Sequence, residues 1–241
     1  MEAADLSLFA HVVGRSADDL DLAQAALMVA EAEYPGLDIA RYIEMLDQLA
    51  ARVQGEIAAT PAAPPMLTVL RVLYEELGFQ GNAGDYYDPK NSFLNDVLES
   101  RRGIPITLAI VLVEVSRRVG VDAQGISFPG HFLVRSAVSG GAVIIDPFDG
   151  RPLDAEDLQL LYARATNDEG PIDPSLLEPA STRQILLRML NNLRGIYEGR
   201  GDTARLRAVL LRMALLTPSD EVRRLLDELE AAGQPGPAQL N

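Results

Sequence analysis

The sequence predicts an α+β fold in which helices flank one small antiparallel sheet. Up to Gly120, apolar residues recur every three to four positions, which is typical of amphipathic helices. After Gly120, short apolar runs are separated by glycine and proline, which indicates strands and turns. The helical period returns in the last part of the chain. Helices, then strands, then helices again along one chain are typical of the α+β class.

The composition limits the classes of partner. The chain has 241 residues, 48% of them hydrophobic, and a formal net charge of −14. Because an acidic surface repels phosphate backbones, we expect no nucleic-acid partner. The longest apolar run, from Ile104 to Val113, contains a proline and is shorter than the roughly 18 residues that span a bilayer. We therefore expect no membrane partner. The residues that follow Met1 are acidic where a secretory leader is basic, so we expect a cytoplasmic protein.

Cysteine is absent, and histidine occurs only at His11 and His131. The absence of cysteine excludes disulfides, thiolate metal sites and a cysteine nucleophile. Two histidines are too few for a histidine-rich zinc site, so we expect no metal, and we assign no cofactor. His11 lies on an amphipathic segment, residues 5–15, where a lone histidine is expected to be structural or exposed.

Residues 1–62 form the first predicted unit, an N-terminal helical segment. The acidic run 18–21 opens a helix, because carboxylates favour the positive end of the helix dipole. Tyr34-Pro35-Gly36 ends that helix, and Asp38 is placed to cap the next one. Residues 58–65 are rich in alanine and proline without a period, which indicates a linker and the first boundary.

Residues 63–166 form the second predicted unit and begin with helices. Met66 to Leu77 has the helical period, and Ser92 is placed to cap a short helix over residues 93–98. Pro105 suits the first position of a further helix, where its missing N–H is harmless. That helix is apolar almost all round before Gly120 ends it, which predicts burial on most sides.

Three short strands follow the buried helix. They are predicted at residues 126–128, 131–135 and 142–146. Alternation along the second strand places His131, Leu133 and Arg135 on one face. Asp154 then caps a helix that completes this unit.

Residues 182–232 form the third predicted unit, which is helical. A polar, proline-containing stretch at residues 167–179 separates it from the second unit. Turns at residues 199–202 and 217–220 divide it into three helices. The tail from Gly233 is expected to be disordered.

Six short motifs occur together along the chain. They are Tyr86-Tyr87-Asp88-Pro89, Asn91-Ser92-Phe93-Leu94, Arg102-Gly103-Ile104-Pro105-Ile106, Phe128-Pro129-Gly130-His131-Phe132, Asp146-Pro147-Phe148 and Arg188-Met189-Leu190-Asn191-Asn192-Leu193. With this combination the chain resembles the bacterial SirB family over roughly residues 18–232. The resemblance implies a transglutaminase-like (papain-like) core at residues 63–166, with tetratricopeptide-like helices at 182–232.

The resemblance departs from the enzyme pattern at one position. Transglutaminase-like enzymes carry a cysteine before the buried helix, a histidine at the head of one strand and an aspartate on the next. The histidine and aspartate match His131 and Asp146, but the cysteine position falls on Pro105. Proline offers no nucleophile, so the resemblance implies a residual pair at a catalytic site that has lost its thiol.

The third unit supports the resemblance from its own residues. Residues 192–218 run helix, Gly-Asp turn, helix and proline break, which is similar to one tetratricopeptide unit. A lone repeat cannot bury its apolar face by itself. We therefore expect these helices to dock on the core rather than to form a peptide-binding solenoid.

The predicted site surrounds the pair formed by His131 and Asp146. Its further binding residues are Asn91, Ser92, Arg102, Pro105, Thr107 and Arg135. Thr107 is the nearest hydroxyl, but it lies on a different side of the helix from Pro105, and a threonine nucleophile needs a strong adjacent base. The pair is interpreted either as a functional pocket or as a retained structural hydrogen bond between strands.

These observations favour a non-enzymatic, transglutaminase-like module that binds a protein or peptide. Whether any catalysis remains is open, and Pro105 favours a role without it. One alternative is a hydrolase or transferase that uses His131 and Asp146 without a cysteine nucleophile, which predicts a solvent-open cleft at His131. A second alternative is a scaffold that acts through its C-terminal helices.

Overall fold

The computed structural model describes residues 2–14, 20–138 and 140–233. The helices in these ranges are α1 Glu2–Val13, α2 Leu22–Ala30, α3 Ile39–Ala59, α4 Pro65–Leu70, α5 Leu94–Ser100, α6 Pro105–Arg118, α7 Ala155–Thr166, α8 Thr182–Arg200, α9 Thr203–Leu216 and α10 Asp220–Gly233. The strands are β1 Gln80–Gly81, β2 Arg102–Gly103, β3 Gln124–Ile126, β4 Leu133–Val138, β5 Gly141–Asp146 and β6 Arg151–Leu153. Helices with small sheets confirm the predicted mixed class. Asp18 and Asp19, at the predicted start of the second helix, and the tail 234–241 lie outside the described residues.

Helix α2 lies at the centre of the N-terminal helices. Asp21 caps it by accepting a hydrogen bond from the Gln24 N–H at 2.8 Å. All residues of α2 except Gln24 are buried. The helix packs against α1, α3, α5, α6 and α8. It ends at Ala30, earlier than predicted, because the ring of Pro35 is incompatible with a helix that runs through the preceding turn. Asp38 caps α3, as predicted.

The helix predicted from Met66 to Leu77 changes its type after Leu70. Helix α4 is followed by a π-helical turn, Arg71–Glu76, in which the Leu77 N–H bonds to the Val72 carbonyl at 2.9 Å. That bond spans five residues instead of four, so one extra residue enters the turn. Hydrophobic periodicity does not distinguish the two helix types over a single turn, and the prediction therefore missed this change.

Helix α6 is buried on most sides, as predicted. Pro105 lies at its first turn, and every residue from Pro105 to Leu112 is buried. Helices α2, α3, α4, α5 and α8 surround it together with strands β3 and β4. Its one buried acid, Glu114, pairs with Arg117 and Arg118 of the last turn. Within the described ranges, no helix is long and apolar enough to cross a membrane.

The main sheet is antiparallel and has the strand order β3-β4-β5-β6. The third predicted strand corresponds to β5, whereas β3 begins two residues before its predicted position. Strand β6 was missed because Pro152 lies in it, and a proline argues against a strand except at an edge. Two-residue strands β1 and β2 form a separate parallel pair in front of α6.

The prediction that His131 begins the second strand is wrong. The Pro129–Gly130 turn continues through His131, whose N–H bonds to the Phe128 carbonyl at 3.2 Å. Because this N–H closes the turn, the strand ladder starts only at Leu133. His131 therefore precedes the strand and does not share a strand face with Leu133 and Arg135.

The C-terminal helices pack on the rest of the molecule. Helix α8 lies against α2 and α6 through an apolar face that includes Leu186, Met189 and Leu190, all fully buried. Helix α9 packs on α8 and α1, and α10 packs on α9. A glycine with a positive φ of 66°, Gly201, ends α8, and Asp202 caps α9. The division into units at 1–62, 63–166 and 182–232 remains a prediction.

Candidate functional site

The structure brings His131 and Asp146 into direct contact. His131 Nε2 lies 2.8 Å from Asp146 Oδ1. His131 comes from the turn before β4 and Asp146 from the last position of β5. The side chains are 19% and 15% exposed, so solvent reaches both of them.

The turn after β5 holds Asp146 in place. Its Oδ1 also accepts the Phe148 N–H at 2.8 Å, and its carbonyl accepts the Gly150 N–H at 2.9 Å. A carboxylate that is fixed by its own turn orients the imidazole that donates to it. With its proton on Nε2, the ring presents Nδ1 as an acceptor, and no hydrogen bond joins Nδ1 to the described residues. The arrangement is that of an oriented base.

The start of α6 offers that base no nucleophile. Pro105 is buried and carries no side-chain donor. The Thr107 hydroxyl donates to the Asn91 carbonyl at 2.6 Å and accepts the Ile104 N–H at 3.2 Å. Ile104 has no polar side-chain atom, so Thr107 alone supplies the side-chain contact at this helix end. A fully buried hydroxyl engaged in this way is structural.

The Asn91 side chain organises the loop that contains Asp85 and Tyr86. It is 3% exposed, and its Nδ2 donates to the carbonyls of Asp85 at 2.6 Å and Tyr86 at 3.2 Å. Its Oδ1 accepts from Asn82 Nδ2 at 3.0 Å. Every polar atom of this side chain therefore has a partner in the protein, and its contribution to binding would be indirect.

Ser92 does not cap α5, contrary to the prediction. It is the last residue of a 3₁₀ turn, Pro89–Ser92, and Phe93 takes the extended backbone conformation of the cap position. The Ser92 Oγ is buried and has no hydrogen-bond partner among the described residues. The 3₁₀ turn shifts the start of the helix by one residue, which turn residues in the sequence did not reveal.

Two arginines of the predicted site have guanidinium groups without a hydrogen bond or ion pair among the described residues. Arg102 is exposed on β2, where its backbone pairs with Gln80, and Arg135 is half-buried on β4. Their role in binding stays a prediction.

Aromatic residues that were not assigned to the site lie beside it. The Tyr86 ring centroid is 6.3 Å from that of Phe148 and 5.4 Å from that of Tyr87. Burial raises the pKa of Tyr86, and the charge of Arg188 on α8 acts in the opposite direction. Each of these residues belongs to a motif that the sequence shows, but motif membership alone does not indicate which side chains meet.

Behind the site, Tyr74 anchors the turn that carries Asp146. Its hydroxyl donates to the Pro147 carbonyl at 2.8 Å. Burial, followed by the charge of Asp146, raises the pKa of Tyr74. Among the described residues, no group of three His, Asp or Glu side chains is arranged to hold a metal ion.

Comparison with known proteins defines the class of this protein. The family model of the transglutaminase-like superfamily matches residues 40–191. This match covers more than half of the chain, and the chain belongs to that superfamily.

Individual proteins with similar sequences give a more specific comparison than the family model. The chain is 43% identical over 185 residues to a UPF0162 protein of Xylella fastidiosa strain Temecula1, and 30% identical over 181 residues to one of Pseudomonas aeruginosa. Each alignment covers 75% of this chain and 66% of the relative, so the chain spans just under two thirds of their length. The human F-box only protein 21 is 30% identical over 166 residues, which are 64% of this chain and 26% of that protein. No solved structure matches the chain significantly.

Proposed function

We propose that this protein is a non-catalytic transglutaminase-like protein of the SirB family that binds a protein or peptide in a regulatory role. The observation that supports the proposal most directly is which residues occupy the start of α6. By the resemblance, Pro105 falls where enzymes of this class keep a cysteine, and the chain has no cysteine at any position. The hydroxyl of Thr107 is engaged by the backbone of Asn91 and Ile104. Neither Pro105 nor Thr107 therefore offers the His131–Asp146 pair a side-chain nucleophile, which supports a role without catalysis.

The surface around the pair supports binding. Tyr87 is 73% exposed and Tyr86 is 41% exposed. The Tyr86 ring lies against Phe148 of the turn that carries Asp146, and the Tyr87 ring lies against Tyr86. Tyrosines that combine an apolar ring with a polar tip are enriched in protein recognition sites. An imidazole with an unpaired nitrogen adds a hydrogen-bonding group.

An activity and binding comparison tests the proposal. Purified protein is assayed for amidase, peptidase and transamidase turnover, and partners are captured from a lysate with wild-type protein and with His131→Ala. We expect no turnover above the protein-free control, together with partners whose capture decreases in His131→Ala. The matched control is His11→Ala, because His11 lies on α1 and is far from His131 in the sequence. Turnover that disappears in His131→Ala would contradict a non-catalytic role.

A hydrolase or transferase remains the second candidate function. The observation that favours it is the orientation of His131 by Asp146, with Nδ1 unpaired and the side chain 19% exposed. Such a base can activate water or a substrate hydroxyl without a cysteine. The same turnover assay separates the two candidates, because this one requires activity that depends on both His131 and Asp146.

A scaffold acting through tetratricopeptide-like C-terminal helices is the third candidate. Helix α8 is part of the core, so its deletion would unfold the protein, and only the outer helices offer a separable surface. The discriminating variants are therefore Arg223→Glu and Arg224→Glu on α10, whose side chains are about 70% exposed. Capture that is lost in these variants but kept in His131→Ala would favour the scaffold.

The remaining aspects of the proposal follow from composition. A net charge of −14 supports a protein that acts away from nucleic acid. We propose a cytoplasmic location, no membrane partner and no cofactor.

A further inference from the structure

Two cavities lie side by side between the end of α2, helices α8 and α9, and the 3₁₀ turn Pro89–Ser92. The larger cavity has a volume of about 440 Å³, and the smaller one has a volume of about 260 Å³. Four residues line both of them, namely Glu33, Phe93, Tyr197 and Arg205. Together the cavities provide a volume that is typical of sites for small molecules. None of the residues that line either cavity belongs to the predicted site around His131.

The larger cavity is mostly apolar. Buried side chains of α2, α8 and α9 and of the residue before α5 line it, namely Val29, Phe93, Leu190, Leu193 and Val209. Its charged residues are two acids and two arginines, which add no net charge, namely Glu31, Glu33, Arg205 and Arg212. Such a cavity favours the apolar part of a ligand, because that part leaves water when it binds there.

Tyr197 lines both cavities and brings a hydroxyl to the place where they meet. The residue is 3% exposed, and no hydrogen bond joins its hydroxyl to the described residues. Burial, followed by the charge of Glu33, raises the pKa of Tyr197 to about 12, so the hydroxyl is protonated at neutral pH and can donate. Because buried hydroxyls normally have a hydrogen-bond partner, one that lines a cavity without such a partner is available to a ligand.

The smaller cavity contains two cations without an acidic partner among the described residues. Lys90, the only lysine of the chain, and Arg200 both line it, and neither side chain forms an ion pair in the described part of the chain. Arg200 donates to the Tyr87 carbonyl at 3.0 Å, which fixes the position of its guanidinium. Contacts between α8 and the 3₁₀ turn bring the two cations to the same cavity. Ammonium and guanidinium groups both bind carboxylates and phosphates.

The acids of the smaller cavity are already engaged. Glu33 accepts two hydrogen bonds from Arg205, at 2.5 Å and 2.8 Å, and Asp202 accepts a third at 2.8 Å. Asp88 accepts the Lys90 backbone N–H at 3.0 Å, at the start of the 3₁₀ turn. The charge that this cavity offers to a ligand is therefore positive, although the net charge of the chain is −14.

We propose that the two cavities bind a small amphiphilic anion. Its apolar part occupies the larger cavity. Its anionic head lies in the smaller cavity, where it accepts a hydrogen bond from Tyr197 and pairs with Lys90 and Arg200. The head is a carboxylate or a phosphate, and both have the same chemistry at these three groups. The inference goes beyond the proposed function, because it uses other residues than the pair at His131 and a ligand other than a peptide.

Isothermal titration calorimetry of the full chain with four octyl compounds tests the class of ligand. Octanoate and octyl phosphate carry the two anionic heads, whereas octanol is uncharged and octyltrimethylammonium is a cation. Each compound is used below its micelle concentration. We expect one or both anions to bind, and the alcohol and the cation to bind about tenfold more weakly or not at all. The anion that binds more tightly identifies the head.

Variants then test the residues with the tighter anion. We expect about a tenfold loss of affinity for Tyr197→Phe and roughly threefold losses for Lys90→Gln and Arg200→Gln, whose side chains are exposed. The matched control is Arg164→Gln, because Arg164 is also exposed without an ion pair among the described residues but lines neither cavity. Its affinity should equal that of wild type. Without ligand, Tyr197→Phe should be as stable to heat as wild type, since its hydroxyl has no partner in the protein to lose.

The single lysine gives a second readout. Acetylation of the Lys90 ammonium by an N-hydroxysuccinimide ester is followed by mass spectrometry of the peptide that contains it. We expect the bound anion to slow this reaction, because the ammonium is then paired, and octanol to leave the rate unchanged.

Contrary results overturn the site without affecting the proposed function. These are octanol or the cation binding as tightly as the anions, unchanged affinity in Tyr197→Phe, or the same rate of Lys90 acetylation with and without the anion. If none of the four compounds binds, the site is also wrong. Peptide binding near His131 stands in each case, because it is measured with different variants and a different ligand.

Discussion

At the scale of single residues, the site is defined by which polar atoms are already engaged. Asp146 uses Oδ1 on both His131 and the Phe148 N–H, and Thr107 uses its hydroxyl on the backbone before α6. His131 Nδ1 and the Arg188 guanidinium have no partner among the described residues. Engaged atoms maintain the fold, whereas an unengaged atom on a side chain that solvent reaches is available to a ligand.

Replacing Thr107 by valine tests the structural role of its hydroxyl. Valine keeps the shape but removes the hydroxyl donor at 2.6 Å from the Asn91 carbonyl, in a site that water does not reach. The carbonyl keeps only the longer hydrogen bond from the Ile104 N–H at 3.4 Å. We expect the free energy of unfolding to fall by about 1–3 kcal/mol. Urea denaturation measures it, and Thr107→Ser, which keeps the hydroxyl, is the control. A Thr107→Val protein as stable as Thr107→Ser would show that these hydrogen bonds contribute nothing.

At the scale of elements, the turn between β3 and β4 decides where His131 lies. Gly130 has a φ of 66°, and a Cβ there would come within 2.7 Å of the Ala165 side chain on α7. The turn therefore needs glycine for two reasons, conformation and space. This close approach places α7 directly behind the segment that presents the imidazole to Asp146.

Gly130→Ala is expected to be more harmful than the same change at Gly36. Both glycines have a positive φ, which costs roughly 1–2 kcal/mol for alanine, but nothing lies within 4 Å of a Cβ at Gly36. The additional cost at Gly130 comes from the contact with Ala165. Thermal unfolding of the two variants measures the difference. Equal destabilisation would mean that α7 moves aside freely and does not constrain the turn.

At the scale of the whole molecule, contacts between distant parts of the chain join the N-terminal helices to the core. Tyr34, after α2, donates its hydroxyl to Asp96 of α5 at 2.7 Å, and Tyr42 of α3 donates to Glu99 at 2.9 Å. One hydrophobic core includes both Phe9 of α1 and Val222 of α10. The pair at His131 is thus supported by a core to which all three predicted units contribute.

The Tyr34–Asp96 contact predicts an unusual pH dependence. Burial raises the pKa of Asp96 above its ordinary value, although the hydrogen bond from Tyr34 acts in the opposite direction. Because the folded protein holds this proton more tightly than the unfolded chain, Asp96 lowers stability as the pH rises from its ordinary pKa through its raised pKa. Asp96→Asn removes the charge and keeps an acceptor for Tyr34. It should be more stable than wild type at pH 7.

The stability advantage of Asp96→Asn should disappear at a pH below the ordinary pKa of aspartate, where both side chains are neutral. Urea denaturation between pH 3 and pH 7 measures it. In Tyr34→Phe the hydrogen bond that lowers the pKa of Asp96 is lost, so the pH range of the effect should extend upward. An advantage of Asp96→Asn that is constant with pH would contradict the assigned burial.

Most helices could be predicted because their signals are local. Each of these signals depends on residues that are only a few positions apart in the sequence. They are the apolar period, the aspartate caps Asp21 and Asp38, and the terminal glycine Gly201. The π turn after Leu70 and the edge strand with Pro152 were missed, because a single turn and a three-residue strand carry too little pattern. Two of the predicted polar lining residues, Asn91 and Thr107, proved to be engaged by the backbone.

By itself, the sequence determined the mixed class, the buried helix, the absence of a thiol and the identity of the two residues that pair, since these depend on composition, short-range period and motif. Only the tertiary structure decided that His131 lies in a turn, that the Thr107 hydroxyl is engaged, and that the rings of Tyr86 and Phe148 lie together. These residues are separated by many positions along the chain. The proximity of Tyr86 and Phe148 depends on how the loop before α5 packs on the turn after β5, which no local pattern specifies.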